Sequence, residues 1–242
     1  MTRESTIVLL HGFTQTGRSW DPVVTALGER YRALAPDLRG HGAAGARRPV
    51  SFAAIADDVL ALAPPRFALA GYSMGGRIAL DLALRDGGRA QERIERLTLI
   101  GASPGIADAG ERAARRAADE ALAEEIERGG VEAFARRWAA QPLFAGQPLA
   151  VARAARAERL RNDAAGLAAS LRGVGTGAME PLWERLGELR IPVALIAGEH
   201  DAKFRALAER MAQRIPGATV HVVEGAGHAA QLERPQQVAA LL

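Results

Sequence analysis

Six short apolar runs organise this sequence, each closed by glycine, proline or an acidic residue. They are Thr6–Leu10, Ala33–Ala35, Phe67–Ala70, Leu97–Ile100, Val193–Ala197 and Val220–Val223. Each is followed by a longer segment of helical period. A strand-sized apolar run followed by a helix, repeated, implies a mostly parallel sheet with helices on both faces. The expected fold class is therefore α/β, with about six strands. In such sheets a ligand sits beyond the carboxyl ends of the strands. Residues with chemistry to perform should stand just after the apolar runs.

The alternation stops between about Gly105 and Glu180, a stretch rich in Ala and Arg with no strand-like run. Glu111–Arg128 reads as a helix stopped by Gly129-Gly130. Val131–Ala140 reads as a second and Ala150–Arg161 as a third. The expected organisation is one core from residues 1–104 and 181–242, with a helical cap inserted at 105–180. The glycine run Gly173-Val174-Gly175-Thr176-Gly177 has no strand before it and lacks phosphate-loop spacing, so it reads as a flexible exit from the cap.

Composition removes several functional classes. The 242 residues include no cysteine, which excludes disulfides, thiolate metal sites and cysteine nucleophiles. The 31 basic and 28 acidic residues leave a net charge of +3. Outside residues 112–172 the bases interleave with Asp and Glu, unlike a nucleic-acid-binding stripe. Met1–Ser5 has no apolar signal segment, and no apolar run approaches the roughly 20 residues of a membrane helix. The chain reads as soluble and cytoplasmic, with no nucleic-acid or membrane partner and a monomer as a plausible state. No His/Asp/Glu grouping has metal-ligand spacing, so no metal or cofactor is expected. Asp57-Asp58 and Glu124-Glu125 are adjacent on helices, where neighbours do not face each other, and read as solvated.

Gly71-Tyr72-Ser73-Met74-Gly75 follows a strand run and opens the helical segment Met74–Leu84. That context makes Ser73 a candidate nucleophile on a tight strand-to-helix turn, where the residues two positions away must lack bulk. The helix start also offers unpaired N–H groups to a developing negative charge. A serine hydroxyl needs a base, and the base needs an orienting group. His228 follows the last strand run through Gly225-Ala226-Gly227, and Asp201 follows Val193–Ala197. Ser, then Asp, then His is the chain order of proteins carrying this elbow. Of the other histidines, His11 and His41 read as loop buttresses, His200 as a local cap and His221 as structural. The Phe13 N–H, after the first strand, and the Met74 N–H are the candidate oxyanion donors.

With these motifs the chain resembles the α/β-hydrolase superfamily. The resemblance rests on His11-Gly12-Phe13, Asp37-Leu38-Arg39-Gly40-His41-Gly42, the elbow, Asp201 and His228. It departs in one respect: only Met1–Ser5 precede the first strand run, so the leading antiparallel hairpin is expected to be missing. A finer resemblance is to the 2-succinyl-6-hydroxy-2,4-cyclohexadiene-1-carboxylate synthases of menaquinone biosynthesis. It is carried by Gly71–Arg77, by Gly101-Ala102-Ser103-Pro104-Gly105 before Glu111-Arg112, by Trp138 with Gln141-Pro142-Leu143-Phe144, and by Asp201–Leu207. It implies a lyase that eliminates pyruvate from 2-succinyl-5-enolpyruvyl-6-hydroxy-3-cyclohexene-1-carboxylate. Ser73 would act as the base, His228 would take up its proton and Asp201 would orient His228.

A substrate with several carboxylates needs permanently charged, fork-shaped cations, which favours Arg over Lys. Lys203 is the only lysine. Arg77, Arg112 and Arg161 are the candidate substrate arginines, with Tyr72, Trp138 and Phe144 lining the pocket. Arg115, Arg128, Arg153 and Arg156 read as solvated charges. Trp138 and Phe144 are equally compatible with ordinary packing of cap helices. The triad alone also suits a serine esterase or a carbon–carbon bond hydrolase. A non-catalytic binding protein need not keep all three residues.

Overall fold

The computed structural model describes residues 5–144 and 146–242. Met1–Glu4, most of the segment expected to hold no signal or leading strand, lie outside the described residues. Six strands form one wholly parallel sheet: β1 Thr6–Leu10, β2 Arg32–Leu34, β3 Phe67–Tyr72, β4 Ile94–Ile100, β5 Val193–Gly198 and β6 Thr219–Val223, in the order β2-β1-β3-β4-β5-β6. Each apolar run of the sequence lies in or beside one of them.

Alternate residues along the strands enter two separate cores. Val8, Leu10, Leu69, Leu97, Leu99 and Leu195 pack with helices α2 (Phe52–Leu62), α3 (Met74–Leu84) and α7 (Ala202–Ala212). Ile7, Leu9, Ala68, Ala70, Ile100 and Ile196 pack with α1 (Asp21–Leu27), α8 (Ala230–Glu233) and α9 (Pro235–Leu241) on the other face. The central strands are thus buried on both sides, which is why they read as continuous apolar runs. The strand order reverses between β1 and β3, since β1 leads out to β2 on one side and β3 leads to β4 on the other. The loops after β1 and β3 splay apart there, and that crevice is where this architecture places a ligand.

Between β4 and β5 lie α4 (Ala109–Ala139), α5 (Leu149–Arg159) and α6 (Ala164–Val174). Gly130, at φ 76°, interrupts α4 where the sequence predicts a stop. The helix α6 is not anticipated by the sequence reading. Asn162-Asp163 looks like a loop in sequence, but the Asp163 side chain accepts the Gly166 N–H at 2.6 Å and caps α6. The glycine run after it is not a flexible exit. A Cβ on Gly173 would stand 1.8 Å from the Val50 carbonyl oxygen, and one on Gly177 would stand 2.4 Å from the Arg116 nitrogen. These glycines allow backbones to pack in contact. Among the described residues no helix is long and apolar enough to cross a membrane.

Candidate active site

Ser73 stands between β3 and α3 at φ 51°, a conformation unfavourable for a residue with a Cβ. The turn is possible because its neighbours are glycines. A Cβ on Gly71 would lie 2.3 Å from the Gly75 carbonyl oxygen, and one on Gly75 would lie 2.1 Å from that of Leu10. Ser73 caps the start of α3 without using its hydroxyl. The hydroxyl instead faces His228 Nε2 at 3.3 Å, and His228 Nδ1 faces Asp201 Oδ2 at 2.6 Å. Asp201 also accepts the Phe204 N–H at 3.3 Å through its other oxygen, which caps α7 and fixes the carboxylate. Both His228 and Asp201 are buried. The imidazole lies between the rings of Phe204 and Tyr72, at 4.5 and 5.3 Å.

The loop after β1 forms the opposite wall. His11 and His41 are fully buried beneath it, with ring centroids 4.9 Å apart. The Leu38 N–H donates to His11 Nε2 at 3.0 Å and the Thr14 N–H to His41 Nε2 at 3.3 Å, so both rings serve as acceptors. Burial pushes His11 down to about 4. It also pushes His41 well below its ordinary value, with the neighbouring His11 adding to the effect. Both stay neutral at pH 7, as buttresses that accept backbone N–H groups must. Among the described residues neither the Phe13 N–H nor the Met74 N–H has a hydrogen-bonding partner. Tyr72, at the end of β3, is buried with its phenol held neutral by desolvation and by the nearby Glu233 and Asp201 charges.

The predicted arginines divide. Arg77 is buried on α3 and donates to the Val174 carbonyl at 2.7 Å. Burial, helped by the like charge of Arg115, pushes it down to about 10, so it remains a cation at neutral pH. Arg112 and Arg161 differ from Arg77 in burial and in partners. Arg112 donates to the Ile106 and Ala107 carbonyls at 3.0 and 3.3 Å. Arg161 is exposed and paired with Glu158 at 2.8 Å. The inward-facing arginine of α5 is Arg159, 4% exposed, with its guanidinium carbon 5.3 Å from the Phe144 ring and its Nε unpartnered. Tyr72 is close enough to affect its charge. Arg115, expected to be merely solvated, is held by Asp119 at 2.8 Å and its charge is felt at Arg77. Trp138 lies 5.3 Å from Phe13 and 6.5 Å from Phe144, so an aromatic row joins the β1 loop to Arg159.

The model of the alpha/beta hydrolase family matches residues 7–241. The chain belongs to that family. It is 35% identical to 2-succinyl-6-hydroxy-2,4-cyclohexadiene-1-carboxylate synthase of Salmonella schwarzengrund (strain CVM19633), over 96% of this chain and 90% of that one. Among solved structures it is similar to MenH from S. aureus, with a TM-score of 0.91 and 30% identity over 100% of this chain and 92% of that one. It is also similar to the enol-lactonase from Burkholderia xenovorans LB400, with a TM-score of 0.82 and 25% identity over 99% and 90%.

In this alpha/beta hydrolase, three contributors to the site have no signal in residue type alone. Arg159 is one of five bases between residues 149 and 172, and nothing but the tertiary packing marks it out. Gly101, at φ 54°, ends β4, and a Cβ there would lie 3.0 Å from His228 Cε1, so its smallness makes room for the imidazole. Glu233 accepts the Gly227 N–H at 2.6 Å and the Gln147 side-chain amide at 3.2 Å, tying the histidine loop to the segment after α4. Among the described residues no group of three or more His, Asp or Glu is placed to hold a metal ion.

Proposed function

We propose that this chain is a carbon–oxygen lyase that eliminates pyruvate from 2-succinyl-5-enolpyruvyl-6-hydroxy-3-cyclohexene-1-carboxylate, giving 2-succinyl-6-hydroxy-2,4-cyclohexadiene-1-carboxylate, a step of menaquinone biosynthesis. The observation that carries this reading is the set of arginines near the elbow, with Arg77 one turn along α3 from Ser73 and Arg159 within charge reach of Tyr72. Arg77 and Arg159 are buried, and Arg115 stands beside Arg77. Buried guanidinium groups with unused donors suit an anionic ligand that supplies several carboxylates. The name carried by the Salmonella relative points to the same substrate class.

In the reaction, Ser73 Oγ removes the proton beside the succinyl ketone as its own proton passes to His228 Nε2. The Asp201 carboxylate orients His228 and offsets the imidazolium charge. The developing enolate oxygen accepts from the N–H groups of Phe13 and Met74. Electrons return through the ring, the ring carbon–oxygen bond breaks, and enolpyruvate leaves and becomes pyruvate. The proton on His228 neutralises the departing group, so no water is consumed. Tyr72, Trp138 and Phe144 form the pocket wall. The chemistry requires no cofactor, and the expected partner is a small carboxylated anion.

The test is turnover of the cyclohexene substrate beside a panel of simple esters, with the enzyme quenched during turnover and weighed. Pyruvate should appear in step with the diene product, without a burst and without a mass adduct on Ser73. An adduct on Ser73 with the cyclohexene substrate would overturn the base role. Efficient ester hydrolysis without pyruvate release would place the chain with serine esterases or carbon–carbon bond hydrolases.

A further inference from the structure

Thr14 is the residue of the β1 loop least suited to its own conformation. Its φ is 71°, in the left-handed region, and it is β-branched and buried. A glycine there would adopt this conformation freely. The threonine persists in it because its two peptide groups are gripped from opposite sides. Its N–H donates to His41 Nε2 at 3.3 Å, and its carbonyl accepts from Asn162 Nδ2 at 3.0 Å. The first partner belongs to the core. The second comes from the turn between α5 and α6, 148 residues along the chain.

Asn162 is itself buried, and its amide serves backbone groups on three segments. Besides Thr14, Nδ2 faces the Glu158 and Arg159 carbonyls, both at 3.2 Å. Its Oδ1 accepts the Gly42 N–H at 3.0 Å. Three acceptors on one side and one donor on the other determine which way the amide points. A second tie runs alongside, from the Thr16 hydroxyl to the Glu158 carboxylate. The last turn of α5 is thus fastened to the β1 loop on both sides of Arg159. Phe13, whose N–H is the proposed oxyanion donor, immediately precedes the gripped threonine.

We infer that Asn162 is a positioning residue: by holding Thr14 left-handed, it aims the Phe13 N–H at the reacting oxygen. This rests on the oxyanion role assigned to Phe13 above. The helical segment then has a part in catalysis besides covering the pocket. It completes the oxyanion hole from outside the sheet.

Asn162→Asp keeps the shape and the acceptor for Gly42, but it replaces the donor to Thr14 with a carboxylate oxygen. Asn162→Ala removes both without adding a buried charge, and it carries the test if the aspartate variant does not fold. Two rates are measured: pyruvate elimination, and labelling of Ser73 by a neutral fluorophosphonate, in which the serine oxygen displaces fluoride. Labelling uses the oxyanion hole but neither the arginines nor the lyase chemistry, so a failed lyase reading and a failed Asn162 role give different results. Both rates should fall together by about 10- to 100-fold, less than the roughly 100- to 1,000-fold for deleting an oxyanion donor outright, because the Phe13 N–H is misaimed rather than removed. Adding Thr14→Gly should restore much of the loss, since glycine holds the conformation without a clamp. A merely structural bolt predicts the reverse, because the second substitution would loosen the loop further. Labelling within about twofold of wild type, or no recovery with Thr14→Gly, would overturn the inference. A wild-type Ser73 that neither eliminates pyruvate nor accepts the label would overturn it together with the oxyanion assignment.

Discussion

Ser73, Asp201 and His228 each stand within a few residues of a strand end, whereas Arg115, Trp138, Phe144 and Arg159 stand in the helical stretch between β4 and β5. The first set is placed by backbone sterics. Gly71 and Gly75 leave the elbow one possible shape, Gly101 leaves room for the imidazole, and Gly198 packs against the Gly227 carbonyl that precedes His228. The second set is placed by how helices roll against the sheet. A strand end fixes direction to within one residue, because the hydrogen-bond ladder fixes the strand. A helix fixes it only once its buried face is known. The two sides of the pocket should therefore respond differently to substitution, the strand-end side through rate and the helical side through substrate recognition.

The largest effect is expected on the strand-end side. Ser73→Ala should lower pyruvate elimination by at least about a thousandfold with the fold retained, because residues of a triad act as a unit. Steady-state rates beside a circular dichroism spectrum check it. A variant within tenfold of wild type would remove Ser73 from the mechanism and leave the arginines as the whole site.

The next effect also belongs to the strand-end side but reads stability. His11 is pushed down to about 4 in the folded chain, from an ordinary 6.5. Below pH 6.5 the unfolded chain takes a proton that the folded chain refuses. The stabilisation is complete above 6.5 and is lost progressively as the pH falls to about 4, on the order of 3 kcal/mol for this group. His41 shifts in the same direction. Urea titrations at pH 7.5, 5.5 and 4.5 should show this fall. His11→Asn, less stable at neutral pH, should show a shallower one. Parallel pH curves for the two proteins would mean that the buttress histidines are not the acid-sensitive point of the β1 loop.

The same contrast explains what could be read from the amino-acid sequence. The strands, their parallel arrangement and the positions of Ser73, Asp201 and His228 follow from apolar runs closed by small or polar residues. Those signals are local. The arginines of α5 and of the turn after it are different, because Arg153, Arg156, Arg159 and Arg161 sit among alanines that mark no clear apolar stripe. Without a stripe the helix has no readable phase. The sequence pattern carries the helix to Arg161, but α5 ends at Arg159 and Arg161 lies in the turn after it, so an error of two residues at the helix end exchanges a buried guanidinium for an exposed one. Arg112 is placed by yet another feature. It stands in the first turn of α4, where its guanidinium reaches back to carbonyls of the preceding loop. Helix α6 was hidden because its capping residues, Asn162-Asp163, are also loop formers.

The sharpest test of the comparison is the smallest change, two positions apart on one chain segment. Arg159→Ala removes a buried guanidinium that rests on Phe144, and it should weaken handling of the carboxylated substrate by about 10- to 150-fold, the cost of roughly 1.5–3 kcal/mol for a charge-assisted bond. Labelling of Ser73 by a neutral probe should change little. Arg161→Ala removes a side chain that is 44% exposed and paired only with Glu158. Exposed pairs of this kind contribute about 0–1 kcal/mol, and Glu158 keeps the Thr16 hydroxyl as a partner after the loss. The rate with Arg161→Ala should stay within about threefold of wild type on either reagent. Kinetics of both variants on both reagents decide the matter. Equal losses from the two variants on the carboxylated substrate would mean that the exposed turn after α5 recognises it as well. A loss on the neutral probe with Arg159→Ala would mean that this arginine supports the β1 loop rather than the substrate, which would join the two sides of the pocket into one structural unit.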